Sequence, residues 1–332
     1  MRSLSLCPDR IGCRSVVVVV KGFLLVMVLG LVSCSKPPAK PLRIVSSPWP
    51  GYESLYLARD LGYFDQADVR LIELPSSNTT LEAFSNGSAD IATLTLDETL
   101  TLLSRGRHVR ILGVMDISNG ADAVMARPEI ETLADLKGKR VTIVNIPLGV
   151  YMLNRTLAAA GLSASDVTIL TLPEDKHEKA YLAGKTDVAI TFEPFKTRLA
   201  DAGAHVLFDS SRIPNEIFDL LIVNEDTYVN RRTELCKLVQ QWNRALEYMD
   251  ENPTKAASRM AKRLDMEPDA FLESLKGMVL PSREENVRLL GGKSPAILPP
   301  AKRLEEIMRN EHMLPAAVDI SSAIDPQFQE CL

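Results

Sequence analysis

The chain has 332 residues, 46% hydrophobic and 24% charged, which is enough apolar side chain for a large core and a length that suggests about two domains. Its net charge is -5 and its Lys and Arg residues are scattered, so the basic patch that nucleic acid requires is missing. Four histidines, at positions 108, 177, 205 and 312, stand far apart and give no support to a metal site, and no cofactor motif is present.

The N-terminal residues read as a targeting segment. Arg2, Arg10, Arg14 and Lys21 lead into the apolar run Gly22 to Val32, which stops at Ser33-Cys34 and the Pro-rich stretch SKPPAKP. The run is too short to span a bilayer. Leu31-Val32-Ser33-Cys34 matches a lipobox, so residues 1–33 are expected to be a lipoprotein signal peptide, Cys34 the lipidated first residue of the mature protein, and residues 34–41 an extended tether. The folded part is then exported, on the periplasmic or extracytoplasmic face and membrane-anchored through Cys34. Its remaining cysteines are Cys236 and Cys331. An oxidising compartment permits a disulfide between them, although the sequence does not show that their Cβ atoms are close.

From Leu42 onward strand-like and helix-like runs alternate, which implies parallel sheets with helices on their faces. The first strand, Arg43 to Ser47, runs into the loop Pro48-Trp49-Pro50-Gly51, and apolar spacing over Glu53 to Leu61 predicts a helix. The loop is stiff and aromatic and leaves the helix's first N–H groups facing back into it. Trp49 is either buried core or a wall of a ligand site. Further strands are predicted at Val69 to Leu74, Ile91 to Thr95, Arg110 to Met115, Val124 to Ala126, Val141 to Asn145, Val167 to Leu172, Val188 to Phe192, His205 to Asp209 and Leu220 to Asn224.

This run contains an internal echo. Arg43, Pro50, Gly87 and Asp90 recur as Arg140, Pro147, Gly184 and Asp187, each pair 97 residues apart. The segments NGSADIAT and AGKTDVAI each place a Gly suited to a helix C-cap before an Asp and a new strand. Two similar lobes with the ligand between them follow. After the repeats, Thr233 to Asp250 is an amphipathic helix with Trp242 on its core side, Asn252-Pro253 is expected to cap the next, and Glu267 to Lys276 and Pro300 to Glu311 are helical.

The landmarks GYESLYLARDLGYF, FSNGSADIAT, DLKGKRVTIV and LAGKTDVAITFEPF, in this order and spacing, resemble those of the substrate-binding proteins of ABC importers for nitrate, sulfonates, taurine and thiamine pyrimidines. The resemblance covers Leu42 to about Pro281. It implies an α/β, type II periplasmic-binding-protein fold: two α/β lobes joined by two crossover strands with the ligand cleft between them. Lobe one would comprise residues 42–122 plus 221–332, and lobe two residues 123–220. The crossovers would fall near Asp122-Ala123-Val124 and Asp219-Leu220-Leu221, and closure about them would be the functional motion.

The resemblance also places candidate cleft residues. Trp49, Pro50, Gly51 and Tyr52 match the family's first loop, Thr95 and Leu96 the end of its third strand, and Asp116 and Ser118 its interlobe turn. Pro147, Leu148 and Gly149 match the loop opening the second lobe's helix, and Glu193 lies in Phe192-Glu193-Pro194-Phe195, where the family has Trp-Glu-Pro-Tyr. That departure removes an indole and a phenol from the expected wall. Helix N-termini near Gly51 and Gly149 favour an anionic group, whereas Glu53, Asp97, Glu98, Asp116, Asp122 and Glu193 oppose a bare anion and suit an amine or N–H donor. Glu53 and Glu98 also have plain helix-start roles, Glu98 in a capping box, and Asp116 and Asp122 either face ligand or shape a turn.

The function so implied is capture of a small organic molecule (sulfonate, amine, amino-acid-like or pyrimidine-like) by a monomer that delivers it to ABC permease and ATPase subunits. Alternatives are a ligand-sensing subunit that docks on a membrane receptor, or a thiamine-pyrimidine-related enzyme. No Ser-His-Asp spacing or cysteine-rich run supports the enzyme.

Overall fold

Short aliphatic and β-branched runs alternate with amphipathic stretches, and in the computed structural model they form two sheets flanked by helices. The structure describes residues 40–331. The expected signal peptide, Cys34 and most of the tether lie outside the described residues. In chain order the strands are β1 (Leu42–Ser46), β2 (Val69–Glu73), β3 (Ile91–Thr95), β4 (Val109–Ser118), β5 (Ala123–Ala126), β6 (Arg140–Ile143), β7 (Thr168–Thr171), β8 (Val188–Thr191), β9 (His205–Asp209), β10 (Phe218–Asn224) and β11 (Met278–Val279). The helices of the repeats are α1 (Glu53–Asp60), α2 (Ser77–Ser85), α3 (Leu96–Ser104), α4 (Pro147–Ala160), α5 (His177–Leu182) and α6 (Phe195–Asp201). After them come α7 (Glu225–Asn230), α8 (Arg232–Glu251), α9 (Pro253–Met260), α10 (Pro268–Leu275), α11 (Arg283–Leu290) and α12 (Leu298–Asn310).

One sheet has the order β11-β4-β10-β3-β1-β2, the other β7-β6-β8-β5-β9. In the first, β1 pairs in parallel with β2 and β3; in the second, β6 pairs in parallel with β7 and β8. β10 and β5 run antiparallel to both of their neighbours. The 97-residue echo extends through this topology: β1 corresponds to β6, β2 to β7, β3 to β8, β4 to β9 and β5 to β10. The last pair is exchanged. β5 sits between the second repeat's β8 and β9, and β10 sits between the first repeat's β3 and β4.

The repeated polar landmarks have a structural cause. Arg43 donates its backbone N–H to Asp90 Oδ2 at 2.9 Å, and its guanidinium reaches both Asp90 oxygens and the Gly87 carbonyl. Arg140 makes the same set with Asp187 and Gly184, its N–H at 2.9 Å. Each knot ties the start of a strand to the turn before the next parallel strand. Gly87 and Gly184, at φ of 81° and 67°, hold the left-handed geometry that ends the helix before that turn.

Trp242 on α8 is fully buried, with its Nε1 donating to Ser54 Oγ on α1 at 2.9 Å. Gly113 in β4 leaves room for its ring, because a Cβ there would stand 2.7 Å from Trp242 Cζ3. α7, α11 and β11 are additional to the predicted elements. α11 has a structural purpose: the β4–β10 register shifts beside Leu220, and Asn286 of α11 accepts from Val114 N at 2.7 Å and donates to its carbonyl at 3.0 Å. Asn252 does not cap α9 with its side chain; it turns back to the Tyr248 carbonyl, and Pro253 at the first helical position starts the helix. β10 begins at Phe218, so Asp219 to Leu221 already lie inside the first sheet. Cys236 on α8 and Cys331 are joined as a disulfide, with Cα atoms 5.1 Å apart.

Candidate functional site

Where the two sheets face each other, strand ends and helix starts converge on a narrow, nearly filled cleft with a cavity of about 20 Å³. Ser47, Trp49, Tyr52, Ser77, Thr93, Leu94, Thr95, Glu98 and Asp219 line it from the first sheet's side, Asp122 from the crossover, and Ile146, Leu148 and Phe192 from the second. Trp49 ends the loop after β1 and precedes a tight turn, Pro50 to Tyr52, in which Pro50 fixes the first position. Gly51 is required there by close approach, since a Cβ would collide with the Asp116 carboxylate. Trp49 is 5% exposed and packs edge-on to Phe192 with ring centroids 5.9 Å apart, so it belongs to the core and to the cleft wall at once.

Beneath the aromatics lies a set of buried carboxylates: Asp97, Glu98, Asp116, Asp122 and Asp219. Trp49 Nε1 donates to Asp116 Oδ2 at 2.8 Å, and Tyr52 donates its hydroxyl to Asp219. Asp116 and Asp219 are directly opposed in the β4–β10 pairing, and Asp116 Oδ1 is buried without a partner. Glu98 closes the capping box of α3 by accepting from Thr95 N at 2.9 Å through Oε2, which leaves Oε1 buried without a partner. Asp122 Oδ2 and Asp97 Oδ2 are likewise buried and unpartnered.

Burial disfavours the charged form of each. It lifts Asp122 to about 7, against a Ser118 hydrogen bond that lowers it, and Asp116 to about 7, against the bond from Trp49. Burial and the charge of Asp97 lift Glu98 to about 8, and burial lifts Asp97 to about 6. Burial and then the charges of Asp116 and Asp122 push Asp219 far above the carboxylate range. None of the residues lining the cleft is a Lys, Arg or His. The nearby ammonium of Lys196 is directed at the Gly120 carbonyl at 3.0 Å and Glu193 at 3.6 Å. The cleft is therefore a wall of aromatics and hydroxyls over carboxyl groups with no cationic side chain in the lining, Lys196 acting on Asp122 only from outside it.

Of the residues singled out from sequence, Trp49, Tyr52, Thr95 and Leu148 line this cleft, as do Glu98 and Asp122 of the acidic candidates. The others surround or support it. Pro50, Gly51 and Leu96 are buried behind it, and Gly149 presses on the Val144 carbonyl in α4's first turn. Pro147 borders an outer groove with Asn145 and Val150. Ser118 bonds Ser210 Oγ at 2.7 Å at the crossover, and Glu193 accepts from Thr197 N and Oγ1 at 3.1 and 2.7 Å. Asp116 was expected to face ligand or shape a turn; it lies in β4, accepting from Trp49 Nε1 and paired across the sheet with Asp219, behind the lining. Asp219 was outside the expected set, and its signal was present: it stands 97 residues after Asp122, its counterpart in the repeat.

Two α/β lobes that exchange a central strand and close on a cleft define the type II periplasmic-binding-protein fold. The chain belongs to the NMT1/THI5-like family, whose model matches residues 49–256. A curated relative, the putative aliphatic sulfonates-binding protein of Escherichia coli (strain K12), is 24% identical over 151 residues, which are 45% of this chain and 47% of the relative. The match thus spans about half of that protein's length. Among solved structures, the alkanesulfonate-binding protein SsuA from Xanthomonas axonopodis pv. citri bound to MOPS aligns with a TM-score of 0.72 at 20% identity, over 86% of this chain and 99% of that one. The periplasmic aliphatic sulphonate binding protein SsuA from Escherichia coli aligns at 0.70 with 17% identity, over 88% and 99%. The desulfurization enzyme DSZB also aligns, at 0.64 with 18% identity over 87% and 98%, so this fold by itself does not separate binding from catalysis.

Proposed function

We propose that the chain is an extracytoplasmic solute-binding lipoprotein that captures a small cationic or N–H-donating organic molecule in its cleft and delivers it to an ABC importer. One observation carries the ligand class: Glu98, Asp122 and Asp219 line the cleft under Trp49, Tyr52 and Phe192, with no cationic side chain among the lining residues. A protonated amine or a heterocyclic N–H meets these carboxylates, and the aromatic faces add cation–π attraction. A bare sulfonate, the ligand class in the relatives' names, would meet buried carboxyls and no counter-charge. The binding role, as against catalysis, is supported by the binding proteins among the relatives. Lipidation at Cys34 and docking on permease and ATPase subunits are part of the same reading, drawn from the lipobox and the family.

Thermal-shift screening of amines, amino acids, pyrimidines and sulfonates tests it, because a ligand bound only by the native state raises the melting temperature. The reading expects a cationic or N–H-donor hit whose effect is lost in Asp122→Asn. A sulfonate hit without an amine hit would refute it.

A further inference from the structure

The lobes touch across the mouth of the cleft at one polar contact that the cationic reading does not use. The first turn of α2 meets the second lobe there. Ser76 and Thr79 satisfy each other in a capping box, Ser76 Oγ accepting from Thr79 N at 3.3 Å and Thr79 Oγ1 from Ser76 N at 3.2 Å. That leaves the Ser77 N–H as an outward donor. It donates to Glu174 Oε1 at 2.8 Å, and Ser77 Oγ donates to the same oxygen at 3.2 Å. Ser47 Oγ stands 3.4 Å from Ser77 Oγ, and both serines line the cleft.

Glu174 comes from the opposite lobe, in the short turn Glu174–Lys176 after β7, and is 0% exposed. Its position is the repeat counterpart of Ser77, 97 residues on, so donor and acceptor occupy equivalent positions of the two repeats. Its second oxygen, Oε2, is buried with no partner. A half-satisfied buried carboxylate is a poor stabiliser of a fold. It is well suited to another task, because a backbone N–H and a hydroxyl at a helix start, with a second hydroxyl alongside, make an oxyanion seat.

We infer that Glu174 is a specificity-determining residue: it fills the oxyanion seat at the N-terminus of α2 from within the chain and so excludes sulfonates and other oxyanions from the closed cleft. The inference deepens the proposed function and rests on it for the choice of cleft. An anion reaches the seat only if the lobes part and Glu174 withdraws, and it must then approach a wall of carboxyls.

Calorimetric titration of the full chain with ethanesulfonate tests this, alongside Glu174→Ser, Glu174→Gln and the control Asp175→Ser, which removes an equal charge next door. Wild type and Asp175→Ser are expected to give no binding at 10 mM, roughly the weakest affinity that calorimetry reads. Glu174→Ser is expected to bind at least about tenfold more tightly than that limit. Adding Ser77→Pro, which removes the N–H at a helix position that tolerates proline, should abolish the gain. Equal sulfonate affinity in wild type and folded Glu174→Ser overturns the inference, as does a gain that survives Ser77→Pro. Should Glu174→Ser fail to fold, Glu174→Gln and the wild-type Ser77 amide decide: protection of that amide from hydrogen exchange should not change with ethanesulfonate, and a change overturns the inference. An amine that binds wild type while sulfonate binds no variant overturns this inference and leaves the cationic reading intact; tight sulfonate binding by wild type overturns both.

Discussion

Asp122→Asn should move stability and affinity in opposite directions. Asp122 is buried, its Oδ2 has no partner, and burial lifts its pKa from 3.8 to about 7. Because the folded pKa is raised, this group supports the fold most fully below the unfolded value, and the support is lost as pH climbs towards about 7. Above that, the folded state carries a buried carboxylate that the charge of nearby Lys196 only partly offsets. A difference of roughly three pKa units corresponds to about 4 kcal/mol at 1.36 kcal/mol per unit. Asn keeps the shape and removes the titration. Without ligand, the variant's stability relative to wild type should therefore rise by up to about 4 kcal/mol between pH 4 and pH 8, read by urea unfolding at each pH. Affinity for the amine found by screening should fall at least about thirtyfold at pH 8, since losing one partner of a desolvated charge pair costs on the order of 2–5 kcal/mol. Wild-type affinity should itself rise with pH up to about 7, as the cation displaces the Asp122 proton. A variant that is less stable at every pH and binds the amine as well as wild type would refute the reasoning.

Trp49→Phe keeps a ring against Phe192 but removes the Nε1 donor to Asp116, so it should weaken amine binding while costing only about 1–3 kcal/mol in urea unfolding, the penalty of an unsatisfied acceptor. Equal affinity with a larger stability loss would make Trp49 a purely structural residue. Cys34→Ser should abolish lipid labelling and release the protein from the membrane fraction; a variant still cleaved and lipid-labelled would refute the lipobox assignment. Thiol titration of the unfolded, unreduced protein should find Cys236 and Cys331 unreactive, and Cys236→Ser should lower stability by roughly 2–5 kcal/mol, as expected for opening a loop of 95 residues. Two reactive thiols would refute the pairing.

The two-sheet architecture was legible because its punctuation is polar and local. The Arg–Gly–Asp knots recur at a fixed offset, and a strand beginning at an Arg bonded to an Asp 47 residues on leaves that trace in any sequence. The site was legible only in part. Trp49 and Tyr52 follow from the loop after β1, but Glu98, Asp122 and Asp219 come from three distant segments, and only the sheet order brings them together. Glu98 read as a capping residue, and it is one; the other oxygen of the same carboxyl lies buried at the cleft. Asp116 read as a ligand-facing or turn residue because its partner Trp49 is 67 residues away. α11 escaped because its buried residues are Asn286, Leu289 and Leu290, and an Asn in the middle of a charged stretch carries no periodic apolar signal.

The exchanged strands set the order in which the molecule can be completed. β10 occupies the gap between β3 and β4, yet about a hundred residues separate the end of β4 from its start. While the second repeat is still emerging, the first therefore holds two open strand edges with buried-type residues on both faces, the kind of edge that recruits other chains. Neither repeat alone can close its own sheet. A fragment cut after Ala126 should aggregate, and it should become soluble when the rest of the chain is supplied.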